Sequence, residues 1–362
     1  MNITFPHLGN TYIAAKVLFD ALDVEYTIPP ISTKKTLEIG CLHSPDDVCL
    51  PFKIMIGNYI ESIEKGADTV LITGSCGPCR FGEYCELQKK VLMSLGRQIN
   101  FIVIDEPSKI GIKEFLNRLS SVAKDSGLST YKKIKALNIA LKAINLIDEI
   151  EKECRFFAGY EKNKGEFSKL LKDVKKEAIE AKGAEGTLKV LENYKDKVDR
   201  IEIDNFKTPI KIGIIGEIYT IIDSLSNLYI EDILMSLGVS TKRTLYPSWW
   251  VKNTVLSSLK INRSPIYKEA KHYLGMCIGG HAQECVGEAM LNYKMGFDGL
   301  IQIFPVGCMP EIVSKAILPD IEKRYNIPIL SLVVDEMTGE AGYYTRIEAF
   351  LDLIEGRKRM CI

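Results

Sequence analysis

The same order of motifs occurs in the first third and in the last third of the chain, and this repeat limits the possible folds most strongly. Gly66-Ala-Asp68 leads into a buried apolar run and then Cys76-Gly-Pro78. Gly296-Phe-Asp298 leads into a similar run and then Cys308-Met-Pro310. A helical pattern and another apolar run follow each motif. Strands that alternate with helices are typical of βαβ units and a parallel sheet. The sequence therefore predicts an α/β protein with two related domains.

The segment between the two repeats has a different pattern. Lysine and glutamate dominate it, and apolar residues recur at steps of three and four, as expected of solvent-exposed helices. We therefore predict an N-terminal α/β domain over residues 1–130, a helical insertion or linker over 131–205, and a C-terminal α/β domain over 206–362.

The composition argues against several classes of function. The chain has 47 Lys plus Arg and 47 Asp plus Glu, so it gives no support for binding nucleic acid or a membrane surface. It contains neither the pattern of a signal peptide nor an apolar run of membrane-spanning length. We expect a cytoplasmic protein. Its ten cysteines are then more easily explained by metal ligation, redox chemistry or packing than by disulfides.

Three cysteines precede a proline by two positions: Cys49-Leu-Pro51, Cys76-Gly-Pro78 and Cys308-Met-Pro310. Each motif stands just before a predicted helix. Proline suits the first turn of a helix, because its missing N–H has no partner there. The cysteine then lies at the positive end of the helix, which stabilises a thiolate or an anionic cluster. The pattern therefore predicts thiolate ligands at the carboxyl ends of strands, where open α/β sheets bind ligands.

Cys76 and Cys79 form a Cys-x-x-Cys pair, which suits an iron–sulfur cluster, a zinc ion or a redox-active dithiol. Two further cysteines at equivalent turns favour the cluster, and the four histidines give little support to zinc. Cys41 and Cys85 are close enough in sequence to reach the same site.

The sequence assigns no catalytic residue. His281 and Glu284, in the loop that begins Gly279-Gly280, could handle protons, although capping of the following helix explains them more simply. The chain has neither a dinucleotide fingerprint nor a phosphate-binding loop, so we do not expect it to hydrolyse ATP.

At six motifs the chain resembles a superfamily of 2-hydroxyacyl-CoA dehydratase D-components and double-cubane cluster proteins. Within it, the branch described as acyl-CoA dehydratase activase-related, or CoA protein activase, is the most similar. The motifs are Phe5-Pro-His-Leu-Gly9, Cys49-Leu-Pro-Phe-Lys53, Gly77-Pro-Cys-Arg80, Gly279-Gly-His-Ala-Gln-Glu284, Cys308-Met-Pro-Glu311 and Asp335-Glu-Met-Thr-Gly-Glu-Ala-Gly342.

The resemblance implies two flavodoxin-like (Rossmann-like) domains and a cluster between them, with Cys49, Cys76, Cys79 and Cys308 as ligands. The cluster is expected to be [4Fe-4S], or a double-cubane [8Fe-9S] cluster if Cys41 and Cys85 add thiolates. The implied partner is an actin/Hsp70-fold ATPase activator that carries its own [4Fe-4S] cluster, and a homodimer or a related subunit is a further possibility.

The expected function is that of an ATPase-coupled reductase or a 2-hydroxyacyl-CoA dehydratase-like component, with low-potential electron transfer to a cluster at the domain interface. One alternative is a non-enzymatic module that stores or delivers a cluster or relays electrons. The other is a zinc-stabilised structural protein.

Overall fold

The structure is a computed structural model, and it describes residues 1–74, 80–105, 107–258 and 265–360. It confirms the predicted α/β class, with two sheets of parallel strands and many helices. The chain divides into two compact units. Unit 1 consists of Met1–Glu149, Asp173–Asp196 and Pro247–Asn262, and unit 2 consists of Ile150–Lys172, Lys197–Tyr246 and Arg263–Ile362.

The sheet of unit 1 contains three parallel strands in the order β1-β2-β3, which span Ile3–Thr4, Thr69–Thr73 and Asn100–Ile104. A single parallel bridge joins Tyr26 to the free edge of β1. Tyr26 therefore contributes one bridge rather than a strand. If Tyr26 is counted as the second extended segment of the chain, it lies on one side of β1, and β2 and β3 follow on the other side.

The helices of unit 1 include α1 (Thr11–Leu22), α2 (Lys34–His43), α3 (Leu50–Glu64), α4 (Tyr84–Ser94), α5 (Pro107–Ile110) and α6 (Ile112–Val122). Helices α2 and α3 touch through their backbones. A Cβ atom added to Gly40 would lie 1.8 Å from the Lys53 carbonyl oxygen, and one added to Gly57 would lie 2.0 Å from the Thr36 carbonyl oxygen. Glycine is required at both positions because no other residue allows this approach.

The segment predicted to be helical consists of α7 (Thr130–Phe157), α8 (Glu166–Glu180) and α9 (Gly183–Val198). Each of these three helices has residues in both units. Helix α12 (Pro247–Ser258) belongs to unit 1, although the two strands before it in the chain belong to unit 2.

The sheet of unit 2 contains four parallel strands in the order β5-β4-β6-β7. They are β4 (Lys211–Gly216), β5 (Ser240–Lys242), β6 (Gly299–Pro305) and β7 (Ile329–Val334). The second strand of the unit therefore lies outside the first, as in unit 1. This is the strand order with which flavodoxin-like sheets begin, so both sheets are consistent with the predicted flavodoxin-like fold.

The helices of unit 2 are α10 (Ile218–Ile222), α11 (Ile230–Ser236), α13 (Pro265–Ala270), α14 (Ala282–Lys294), α15 (Met309–Tyr325) and α16 (Glu340–Met360), besides its parts of α7 to α9. Apolar residues of α14 and α15 pack on β4 and β6 around Ile215, Val286, Leu300 and Leu318, all of them buried. No helix in the described ranges has both the length and the apolar character that crossing a membrane requires.

The sequence repeat has a structural counterpart. Asp68 accepts a hydrogen bond of 2.9 Å from the backbone N–H of Asn2, just before β1. Asp298 accepts one of 2.8 Å from the backbone N–H of Lys211, the first residue of β4. In each unit, the aspartate just before one strand (β2 or β6) thus forms a hydrogen bond with the backbone at the start of the neighbouring strand (β1 or β4).

A buried ion network holds β5 to the helices of unit 2. The Arg243 guanidinium lies 3.1 Å from a Glu151 carboxylate oxygen and 3.5 Å from a Glu231 oxygen, and its centre lies 4.2 Å from the Tyr246 ring centroid. Strand β5 ends at Lys242. The chain leaves the sheet there, and its next residue, Arg243, reaches the two carboxylates.

We predict that Arg243→Met will destabilise unit 2 by about 3–5 kcal/mol, because Glu151 and Glu231 would stay buried without this partner. The free energy of unfolding in urea measures the effect. Arg359→Met is the control, because Arg359 is 80% exposed and its ion pair with Glu355 is also exposed. It should cost at most about 1 kcal/mol. Equal effects of the two changes would contradict the assigned role of the network.

Candidate metal centre at the carboxyl ends of the strands

Each sheet has one place where the connections from two neighbouring strands run in opposite directions. It lies between β1 and β2 in unit 1 and between β4 and β6 in unit 2. Open α/β sheets bind ligands in the crevice outside the carboxyl ends of such strands. Among the described residues, the loop containing His7 follows β1, and Cys308 follows β6.

Cys308 occupies the predicted position at the start of a helix. After β6 the chain turns through Gly307, whose φ of 75° favours glycine, and Cys308 is the N-cap residue of α15. Its backbone N–H donates to the Pro305 carbonyl, and Pro310 lies in the first turn of the helix. The half-buried thiol therefore stands at the positive end of a 17-residue helix.

Cys49 is the N-cap residue of α3, with Pro51 in the first turn of the helix. Its Sγ lies 2.8 Å from the hydroxyl oxygen of Tyr84, the first residue of α4. A short 3-10 turn, Arg80–Glu83, precedes α4 and comes directly after residue 79. The thiol of Cys49 thus lies beside the helix that follows the predicted Cys-x-x-Cys pair.

The predicted ligands Cys76 and Cys79 lie outside the described residues. The residue before their segment is fixed against the end of β3. Gly74 donates a backbone hydrogen bond to Ile104, and a Cβ atom on Gly74 would lie 1.9 Å from an Asp105 carboxylate oxygen. Asp105 in turn accepts a hydrogen bond of 2.5 Å from Arg118. Gly74 therefore lies beside an aspartate that is paired with an arginine.

The other cysteines occupy different environments. Cys85 is half-buried in the first turn of α4, where burial and the nearby Glu86 raise its pKa. Cys41 is half-buried on α2, next to the glycine that touches Lys53. Cys154 and Cys285 are fully buried, Cys277 is exposed, and Cys361 lies outside the described residues. Within the described ranges, no three His, Cys, Asp or Glu side chains form a group that could hold a metal ion.

The glycine loop lies against the Cys308 turn. Gly280 has a φ of 55°, and a Cβ atom there would lie 2.6 Å from the Pro310 ring. His281 is the N-cap residue of α14, but its side chain makes no capping hydrogen bond. Glu284 is buried and accepts a hydrogen bond of 2.8 Å from the Tyr267 hydroxyl. His281 therefore occupies the capping position without a capping hydrogen bond from its side chain, and Glu284 lies in the first turn of α14.

A buried polar cluster beneath Cys308 was missed from the sequence. Gln302, in the middle of β6, donates hydrogen bonds to a Glu311 carboxylate oxygen at 3.0 Å and to the Ser314 hydroxyl at 3.3 Å. Its own side-chain oxygen accepts a hydrogen bond of 2.9 Å from Ser331. Gln302, Glu311 and Ser314 are fully buried. The one signal in the sequence was a glutamine within the otherwise apolar run of β6.

Two glutamates of this region have raised pKa values. Burial raises the pKa of Glu311 to about 7, although hydrogen bonds from Gln302 and Ser314 oppose the rise. Burial and the nearby Glu284 and Glu311 raise the pKa of Glu288 well above its usual value. Within the described part of the chain, neither oxygen of Glu288 has a hydrogen-bond partner of good geometry.

His7 is a second residue that the sequence did not single out on its own. It follows β1, is buried, and stacks on Tyr12 with 4.9 Å between ring centroids. Burial and the nearby Lys175 lower the pKa of His7 to about 4. Its ring is therefore uncharged at neutral pH, and it lies in the loop that follows β1.

The residues present fit an iron–sulfur cluster in their chemistry. Cys49 and Cys308 offer half-buried thiols at helix N-termini, where an anionic centre is stabilised. Cys49 also has a hydroxyl group beside its sulfur, and such neighbours tune cluster ligands.

The chain matches no protein-family model and no curated protein. The resemblance to the 2-hydroxyacyl-CoA dehydratase superfamily therefore rests on the six motifs alone.

We predict that Glu311→Gln will change how stability depends on pH. Below pH 4.5 the carboxyl group is protonated in both the folded and the unfolded chain. Between pH 4.5 and about 7, the unfolded chain releases this proton and the folded chain keeps it, so the folded state loses stability as the pH rises. The loss is at most roughly 3 kcal/mol and is complete above the folded pKa.

Urea unfolding at pH 5 and pH 8 measures this difference. The natural chain should lose more stability between the two pH values than the Glu311→Gln variant. Glu348→Gln, a change at an exposed position of unit 2, should keep the natural pH dependence. Parallel pH dependences for the natural chain and Glu311→Gln would show that Glu311 does not carry the buried proton.

Proposed function

We propose that this protein is an iron–sulfur protein that acts as an ATPase-coupled reductase or a dehydratase-type component. The observation that carries the proposal is the position of Cys49 and Cys308. Each is an N-cap residue followed by a proline in the first helical turn. Cys308 also lies where its unit's topology favours ligand binding. A cysteine that serves only to fill space needs neither position.

The proposed ligands are Cys49, Cys76, Cys79 and Cys308, with Cys41 and Cys85 as additional ligands if the centre is a double cubane. When bound, such a cluster supplies one-electron chemistry at low potential. Backbone N–H groups at the starts of α3 and α15 would offset the negative charge of the thiolates. The half-burial of both thiols limits their contact with water.

Proton handling in this proposal belongs to unit 2. Glu311 lies in the first turn of the Cys308 helix and exchanges its proton near pH 7. His281 and Glu284 follow the glycine loop that touches Pro310. A dehydratase-type reaction on an acyl-CoA needs proton transfers as well as electrons, so these groups support a catalytic component over a module that only stores a cluster.

We predict that protein purified without oxygen will contain iron and acid-labile sulfide. About four irons per chain would indicate one cubane and about eight would indicate two. Cys308→Ser and Cys49→Ser should each lower the iron content, because a ligand is lost. Cys154→Ser is the matched control, since Cys154 is fully buried in unit 2 and is not a proposed ligand.

Each result decides one part of the proposal. Zinc without sulfide would overturn the cluster and favour a structural zinc site. If Cys308→Ser keeps all of its iron while Cys49→Ser loses it, thiolates of both units do not serve one centre. A cluster that survives both changes would reject these two ligands.

We also predict that the purified chain hydrolyses ATP at a negligible rate, because its sequence has no phosphate-binding loop. Reduction of its cluster by dithionite-reduced, cluster-bearing ATPase of the actin fold should require ATP. The absorbance of the cluster follows this reduction directly. Nucleotide hydrolysis by the purified chain alone, or equal reduction with and without ATP, would contradict the proposed division of labour.

A further inference from the structure

The contact between Tyr84 and Cys49 has the features of a built hydrogen bond. The Tyr84 side chain is buried, with 4% of its surface exposed, and its hydroxyl oxygen lies 2.8 Å from the Cys49 Sγ. Two aromatic rings hold the phenol in place. Phe52 packs edge-on at 4.9 Å between centroids, and Phe81 packs at a tilt at 5.6 Å. The hydroxyl group therefore has a fixed direction toward the sulfur.

The chemistry of the two groups decides which one donates. A thiol normally gives up its proton more readily than a phenol, with reference pKa values of about 8.5 and about 10. A cysteine that binds a metal or acts as a nucleophile is a thiolate, which has no proton to donate. The Tyr84 hydroxyl is then the donor and the Cys49 sulfur is the acceptor. Such charge-assisted hydrogen bonds are short and stronger than neutral ones.

We infer that Tyr84 is a positioning residue for Cys49, whose hydroxyl donates to Sγ, directs the sulfur toward the start of α4, and withdraws negative charge from it. The hydrogen bond itself does not depend on a cluster. Its effect on a reduction potential does rest on the proposed function. Hydrogen bonds to cluster sulfurs favour the reduced, more negative state and so raise the potential.

Tyr84→Phe tests the inference, because it removes one oxygen atom and keeps the ring between Phe52 and Phe81. Tyr59→Phe is the matched control. Tyr59 is also fully buried in unit 1, and in the described part of the chain its hydroxyl has no hydrogen-bond partner. Far-ultraviolet circular dichroism should show that both variants fold.

The first measurement uses the cluster-free protein. The rate at which iodoacetamide alkylates Cys49 is followed by peptide mass spectrometry as a function of pH. In Tyr84→Phe the midpoint of this profile should move to higher pH, because the donor that stabilised the thiolate is gone. At pH values below the midpoint, the fraction of Cys49 present as thiolate should be at least about tenfold smaller than in the natural protein. The rate at high pH should rise, since the sulfur becomes a better nucleophile. Tyr59→Phe should give the natural profile.

The second measurement uses the protein with its cluster. A redox titration of Tyr84→Phe should give a lower potential than the natural protein, by about 59 mV if the tenfold effect is carried fully into a one-electron couple. An unchanged alkylation profile would overturn the inference. A natural protein without iron and sulfide would overturn the proposed function instead, and the alkylation profile would still decide the role of Tyr84.

Discussion

The candidate sites depend on parallel pairing between the first and third extended segments of each unit. In unit 2 this pairing brings β4 and β6 so close that a Cβ atom on Gly216 would lie 2.0 Å from the Ile303 carbonyl oxygen. The turns after these strands must then leave the sheet side by side. Asp298, which holds the first residue of β4, fixes the register of the pair from the opposite end. Asp68 does the same in unit 1. The Cys308 turn, which follows β6, inherits its position from this pairing.

Features with a local cause could be predicted from the sequence. Cys49 and Cys308 stand at helix N-termini because the proline two positions later fits the first turn of a helix, where its missing N–H has no partner. The strands and the helices that face them have clear apolar periodicity. Helix α2 was not predicted, because its contact with α3 depends on Gly40 and Gly57 rather than on an apolar stripe.

The polar interior of unit 2 could not be predicted in this way, because glutamate and arginine are normally surface residues. Arg243 lies between two carboxylates, so its charge is balanced inside the unit. Burial raises the pKa of Glu288 and Glu311, although the nearby Lys242 opposes the rise at Glu288. Unit 2 therefore contains both buried carboxyl groups paired with an arginine and buried carboxyl groups with raised pKa values.

The two units place different groups beside their cysteines, although they share a strand order. In unit 1 the sulfur of Cys49 meets the hydroxyl of a buried phenol. In unit 2 the Cys308 turn meets a glycine loop, and exchangeable carboxyl groups lie beneath it. A hydroxyl donor changes how tightly electrons are held at a sulfur, and a nearby neutral acid can supply a proton. The repeated fold thus places a hydroxyl group beside the cysteine of one unit and buried carboxyl groups with raised pKa values near the cysteine of the other. A repeat that served stability alone would have no need of this difference.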